Sequence, residues 1–476
     1  SGRNIKAPSP VTGIHNKTLN TETASRQLKR VDLSQEKIVN QNPFSTFSLH
    51  VSDVSFKLAK TSLLENNQWP AAEKIRPEEF VNAFDYGDPP ASIKEKISCK
   101  LEQSVHPFLQ QRNLLRVSMR TAATGRAMSR PLSLTILLDK SGSMEREDRE
   151  ESVLRAVEAL SSHLNARDTV TMISFARKPR LIGDRIPGNR SSDLIRIVKQ
   201  TPSEGGTNLE EAIKLANQVA RRQFVENGMN RVVLITDGAA NLGDADPNSL
   251  RDSVIGMRQE GIAFDACGVG AEGINDRILE SLTRKGDGRY YFLDRPEDAD
   301  SGFVRQLAGA LRPAARNVKV QIRFNPDRVI SYKLTGFEKH RLKKEDFRDD
   351  SVDAAELTSA EAGVALYHFQ ADPNGSGDVG QVFVRFQEMA TGNMVERSWT
   401  IPYEREVLRL EESKPSMQLA AIAGMFAEKI RSSPIGEAMD LEEMRTLSSR
   451  LRNSYGKNRQ VSELIRMIEK ASQLSQ

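Results

Sequence analysis

The chain has 476 residues, 38% of them hydrophobic, with 68 Lys and Arg against 64 Asp and Glu for a net charge of +4. That length calls for several domains, since single cores stop growing at about 250–300 residues. So even a balance carries no electrostatic footprint for nucleic acid, and no apolar run approaches the roughly 20 residues that a membrane helix needs.

Residues 1–42 are polar, rich in Asn, Ser, Thr and Lys, and lack apolar periodicity, which predicts a flexible arm. The chain opens Ser1-Gly2-Arg3-Asn4 without an initiator Met, which leaves room for a removed leader and for membrane anchorage through it. Over 43–130 the spacing predicts a helix at 55–65, another after Pro77 with Phe80, Val81 and Phe84 on one face, and strands at 97–101 and 114–120. From 131 to 312 the pattern changes. Short apolar strands at 134–138, 170–175, 232–236, 264–269 and 290–293 alternate with helices at 150–165, 191–200, 208–224, 248–260, 275–284 and 298–311. That alternation is the mark of a parallel sheet covered on both faces. Over 313–405 the period drops to two, as in Val318, Val320, Ile322 and Phe324, which predicts antiparallel strands with one wet face. Residues 406–476 return to helical spacing. The expected fold class is therefore α/β, a doubly wound, mostly parallel sheet inserted in a β-sandwich, with a C-terminal helical segment. Cys99 and Cys267 are far apart and read as buried thiols.

The first α/β strand ends in Asp139-Lys140-Ser141-Gly142-Ser143, an Asp-x-Ser-x-Ser turn at the strand's carboxyl end. In open α/β sheets, ligands bind outside those ends. Two further oxygen donors stand in matching places. Thr207 lies in Gly205-Gly206-Thr207-Asn208 before a helix, and Asp237 follows a strand in Thr236-Asp237-Gly238. Alone, the first turn is a common Ser-rich loop; the three parts together, in this order, are specific. Carboxylates and hydroxyls are hard ligands suited to Mg²⁺, with Mn²⁺ or Ca²⁺ possible. Asp139, Ser141, Ser143, Thr207 and Asp237 are thus the candidate metal ligands, with a coordination position left for a carboxylate from outside.

Other signals point to ordinary structure. Gly268-Val269-Gly270-Ala271-Glu272-Gly273 matches a dinucleotide fingerprint but follows a late strand, and reads as a βα loop. The charged run 145–151 reads as the exposed lead-in to a helix, and the acidic stretch 345–353 as a solvated surface. The six His are scattered, and neither a P-loop nor a G-x-S-x-G elbow is present, so no enzyme is expected.

The segment 132–311 resembles the von Willebrand factor A family, and the five residues match its metal-ion-dependent adhesion site one by one. The resemblance implies a Rossmann-like fold, bound Mg²⁺ or Mn²⁺, and a protein partner presenting Asp or Glu. Lys140 departs from the Val or Thr usual in relatives; it either favours an acidic partner or, the preferred expectation, points to solvent. The flanks Pro43-Phe44-Ser45-Thr46-Phe47-Ser48 and Arg76-Pro77-Glu78-Glu79-Phe80-Val81-Asn82-Ala83-Phe84 resemble the segment preceding this domain in a bacterial cell-envelope family often described as lipoproteins. Tyr332-Lys333-Leu334-Thr335-Gly336-Phe337 and Glu345-Asp346-Phe347-Arg348-Asp349-Asp350 resemble that family's C-terminal domain of unknown function. The implied role is an extracytoplasmic, metal-dependent adhesion module, with helix 298–311 as transmitter to the sandwich. The alternative is a scaffold subunit in which the metal site is secondary. Oligomeric state is not set by the sequence.

Overall fold

Strands from both sides of the α/β segment share two antiparallel sheets. The computed structural model describes residues 32–123, 130–238, 247–299, 304, 306, 309, 311, 313–389 and 391–475. The flank before the α/β segment supplies β1 (Lys37–Ile38), β2 (Phe44–Ser48), β3 (Ile97–Val105) and β4 (Asn113–Thr121). The α/β segment supplies β5 (Leu132–Asp139), β6 (Thr169–Phe175), β7 (Pro179–Pro187), β8 (Met229–Thr236), β9 (Ile262–Val269) and β10 (Tyr290–Leu293). The rest supplies β11 (Pro313–Phe324), β12 (Val329–Leu334), β13 (Arg341–Leu342), β14 (Ala355–Thr358), β15 (Ala362–Ala371), β16 (Gly380–Glu388) and β17 (Met394–Ile401).

One sheet runs β1-β12-β15-β4-β3 and the other β13-β2-β11-β16-β17, with β14 beside β11. Period-two alternation sorts their side chains. Ala365, Tyr367 and Phe369 of β15 face the inter-sheet core with Phe47, Val320, Ile322 and Phe324, while Val364 and Leu366 face the C-terminal helices. The helix Pro415–Ile430 is apolar on every side and buried accordingly. At Gly424 it comes so close to the sheet that a methyl would lie 2.7 Å from Leu366.

The α/β sheet has the order β10-β9-β8-β5-β6-β7, parallel except for β7. Helices α3 (Glu147–Ser161) and α4 (Ser191–Gln200) cover one face. The other takes α5 (Leu209–Arg222), α6 (Pro247–Gln259) and α7 (Asp276–Lys285). It also takes Val54 and Leu58 of the flanking helix α1 (Val54–Lys60), so the insertion shares a core with the flank. A second flanking helix, α2 (Pro77–Val81), packs near Pro415–Ile430 through Phe80 and Phe426.

Three expectations change. Residues 33–42 are anchored rather than flexible, because β1 pairs with β12 and the Glu36 carboxylate receives Arg112 at 2.8 Å and Ser331 at 2.7 Å; residues 1–31 of the expected arm lie outside the described residues. The edge strand β7 was not expected at all. The helix expected over 298–311 lies mostly outside the described residues; residues 304, 306, 309 and 311 are helical as expected, and only its start changes, since Asp298 closes a 3₁₀ turn, Pro296–Asp298. Cys267 is buried, Cys99 half-buried, and both are free thiols that burial pushes up to about 12. No helix of the described residues is long and apolar enough to cross a membrane.

Candidate metal centre

All eight residues of β5 are buried, and the strand delivers Asp139 to the carboxyl edge of the sheet with no exposure of its own. The carboxylate is held at both oxygens. Oδ1 accepts the Ser141 N–H at 2.9 Å, which closes the turn, and Oδ2 accepts the Thr236 hydroxyl at 2.6 Å. Thr236 Oγ1 in turn accepts the Gly238 N–H at 3.0 Å, tying the loop after β8 to the turn after β5. The Ser141 and Ser143 hydroxyls lie 3.1 Å apart. Burial pushes the Asp139 carboxyl up to about 6; the Thr236 and Ser141 hydrogen bonds oppose this, and the Asp237 charge adds to it.

Asp237 is also fully buried, and its Oδ2 pairs with Arg149 Nη1. The same guanidinium donates to the Ser143 carbonyl at 3.0 Å and to the Glu272 carbonyl at 3.0 Å. One side chain therefore joins the loops after β5, β8 and β9. Gly270, at φ +75°, leaves room for it, since a methyl there would sit 3.1 Å from Arg149 Nε. The expectation of an exposed lead-in over 145–151 is corrected here, because α3 already starts at Glu147 and Arg149 is buried. Helical spacing held the signal: it lies four and seven residues before the buried Val153 and Ala156, on the inward stripe of α3.

The Thr207 loop is seated through its backbone. Glu204 N–H donates to the Lys140 carbonyl at 2.8 Å, and Asn208 N–H to the Ala176 carbonyl at 2.7 Å. Gly206 takes φ +90°, where a methyl would lie 3.5 Å from Arg177, and the Asn208 side chain caps α5 by accepting from Glu211 N–H at 3.1 Å. Thr207 is half-buried, and among the described residues its hydroxyl takes no hydrogen-bond partner. The solvent-facing expectation for Lys140 is corrected: the residue is only 8% exposed, because its side chain lines a cavity between β6 and α4.

Two buried carboxylates and three hydroxyls thus stand on loops at one edge of the sheet, and one cation, Arg149, already sits on Asp237. An all-oxygen set of this kind fits a hard divalent ion. Among the described residues no group of three or more His, Cys, Asp or Glu could hold a metal, so any site here would depend on the hydroxyls.

Residues 134–239 match the family described as von Willebrand factor type A domain, and residues 22–116 that described as von Willebrand factor. Residues 309–474 match the family described as Uncharacterized protein YfbK, C-terminal. The chain is 31% identical over 337 residues to the Uncharacterized protein YfbK of Escherichia coli, covering 69% of this chain and 58% of that one. It is 26% identical over 193 residues to the Uncharacterized protein sll0103 of Synechocystis, covering 40% of this chain and 44% of that one. It therefore spans about half the length of these curated relatives. A solved von Willebrand factor type A structure from Catenulispora acidiphila aligns with a TM-score of 0.47 at 13% identity, covering 75% of this chain and 87% of that one. The chain thus carries a segment that matches the von Willebrand factor type A domain, ahead of one that matches the C-terminal domain of YfbK.

Proposed function

We propose that the chain is a divalent-metal-dependent protein-binding module. The observation that carries this reading is the pair of fully buried carboxylates, Asp139 and Asp237, beside the paired Ser141 and Ser143 hydroxyls at the ligand-binding edge of the sheet. Asp139, Ser141, Ser143, Thr207 and Asp237 would hold Mg²⁺, or Mn²⁺ or Ca²⁺ in its place. The ion supplies, when bound, an electrophilic position for the Asp or Glu of a protein partner. The chain's own groups keep that site ready. Thr236 orients Asp139, Arg149 holds Asp237 at the edge, and the backbone bonds of Glu204 and Asn208 fix the Thr207 loop. Among the described residues, no His or Cys outside the ligand set stands in this arrangement, which supports binding over catalysis. The resemblance of the flanks supports an extracytoplasmic setting at the cell envelope.

Thermal melting of the full chain with Mg²⁺ and with EDTA tests the metal. At a hundredfold excess over Kd, a ligand of the folded state stabilises by about 2.7 kcal/mol. Wild type should show that gain, and Asp139→Ala should show none while keeping its circular dichroism. An acidic partner should be captured in Mg²⁺ and released in EDTA; equal capture in both sinks the proposal.

A further inference from the structure

Beside the metal-binding turn lies a cavity of about 290 Å³ that the metal reading does not use. Its lining mixes polar side chains with apolar ones such as Phe175 and Ile197, and its charged residues are Lys140, Lys178, Arg180 and Glu204. The single acid is committed, since Glu204 pairs with Arg180 at 2.8 Å. Lys140 and Lys178 have no hydrogen-bond or ion-pair partner among the described residues. The two differ in setting: Lys178 is exposed at the mouth, whereas Lys140 is more than nine-tenths buried. The other charge acting on Lys140 is Glu150, which attracts it from a distance without forming a pair.

The Lys140 ammonium has no partner among the described residues, and a carboxylate entering the cavity would supply the opposite charge that its surroundings lack. The backbone reinforces this placement. Lys140 N–H donates to the Phe175 carbonyl at 2.8 Å, and the Lys140 carbonyl accepts from Glu204, so the backbone is pinned on both sides where the side chain lines the cavity. Asp139 and Ser141, its chain neighbours, are candidate metal ligands. A segment whose carboxylate reached the metal would therefore have its neighbouring residues over this cavity.

We propose that the cavity is a second recognition pocket for the same partner, taking a second acidic side chain beside the one at the metal. Lys140 meets the carboxylate at the base, Lys178 meets it at the mouth, and Phe175 and Ile197 pack on its methylenes. The partner is thus a protein segment with two acidic residues at short, fixed spacing. This deepens the metal-dependent reading and rests on it.

The test uses the full chain at saturating Mg²⁺ and blocked peptides with two glutamates separated by zero to three glycines. Each is compared with its two single Glu→Gln counterparts by titration calorimetry. At least one two-glutamate peptide should bind about tenfold tighter than either counterpart, a difference of about 1.4 kcal/mol. Lys140→Met should erase that advantage while binding Mg²⁺ as tightly as wild type or tighter, because a cation beside the ion has been removed. Lys178→Ala, on the exposed rim, should lower the advantage and guards against a folding defect in the first variant. Should no two-glutamate peptide exceed its counterparts, or should both lysine variants keep the full advantage, the pocket assignment is overturned. A wild type that fails to bind Mg²⁺ overturns the metal reading instead.

Discussion

Arg149 is the residue on which the candidate site turns. Its guanidinium is buried against Asp237, so one of the two aspartates of the edge already has a fixed positive charge beside it. Breaking a buried ion pair from one side leaves the other charge uncompensated, at a cost of about 3–5 kcal/mol. Arg149→Met should therefore melt well below wild type in EDTA. A divalent ion at the same edge would supply the missing charge. Saturating Mg²⁺ should then raise the melting temperature of Arg149→Met by more than it raises wild type, and calorimetry should show tighter Mg²⁺ binding. Equal Mg²⁺ shifts in the two proteins would show that Arg149 and the ion do not address the same carboxylates.

Among the elements, those with strong periodicity were legible and those held by context were not. The strand β5 and the stripe of α5 carry their own apolar pattern, and the candidate ligands stand at their ends. The edge strand β7 has Arg180, Asp184 and Arg185 and is bounded by Pro179 and Pro187; only its pairing with β6 makes it a strand. The short β1 likewise depends on Glu36 finding Arg112, 76 residues away. The two flanking segments that carry the family resemblance lie far apart in sequence yet touch. Gly336, at φ +73°, comes so near α2 that a methyl would lie 2.2 Å from Glu78 Oε2. Burial pushes the Glu78 carboxyl up to about 7, with Glu338 and Glu79 adding to the shift, and its Oε2 has no hydrogen-bond partner. The folded state thus holds a proton that the unfolded chain releases near its ordinary value of 4.5. Its stability contribution is fully present below pH 4.5 and is lost as pH rises to about 7. Glu78→Gln cannot lose that proton. Urea unfolding should show the variant gaining on wild type across this window, by up to about 3 kcal/mol above it. Parallel pH curves for the two proteins would refute the assignment.

Across the whole molecule, the α/β domain is clamped at both edges of its sheet. Near the candidate metal site, Asp276 opens α7 and receives Arg76 of the flank at 2.7 Å, while the neighbouring Asn275 lies against Gly238, one residue from Asp237. At the opposite edge, Arg231 of β8 is fully buried. It donates to Asp265 at 2.8 and 2.9 Å and to Glu356 of β14 at 3.1 Å. Glu356 also takes Arg316 at 2.7 Å, and Arg289 beside it reaches Glu361 at 2.6 Å. With charges desolvated across the junction and α1 inside the domain's core, the insertion and the sandwich should unfold as one unit. Glu356→Gln tests this at the lower edge, leaving Arg231 its partner Asp265 and so costing less than a full orphaning, about 2–3 kcal/mol. Calorimetry should then resolve two transitions where wild type shows one, and hydrogen exchange should quicken first in β14 and the adjoining part of β11. A variant that still melts in one transition at the wild-type temperature would show that the apolar contact of α1, and not the ionic edge, binds the domain to its frame.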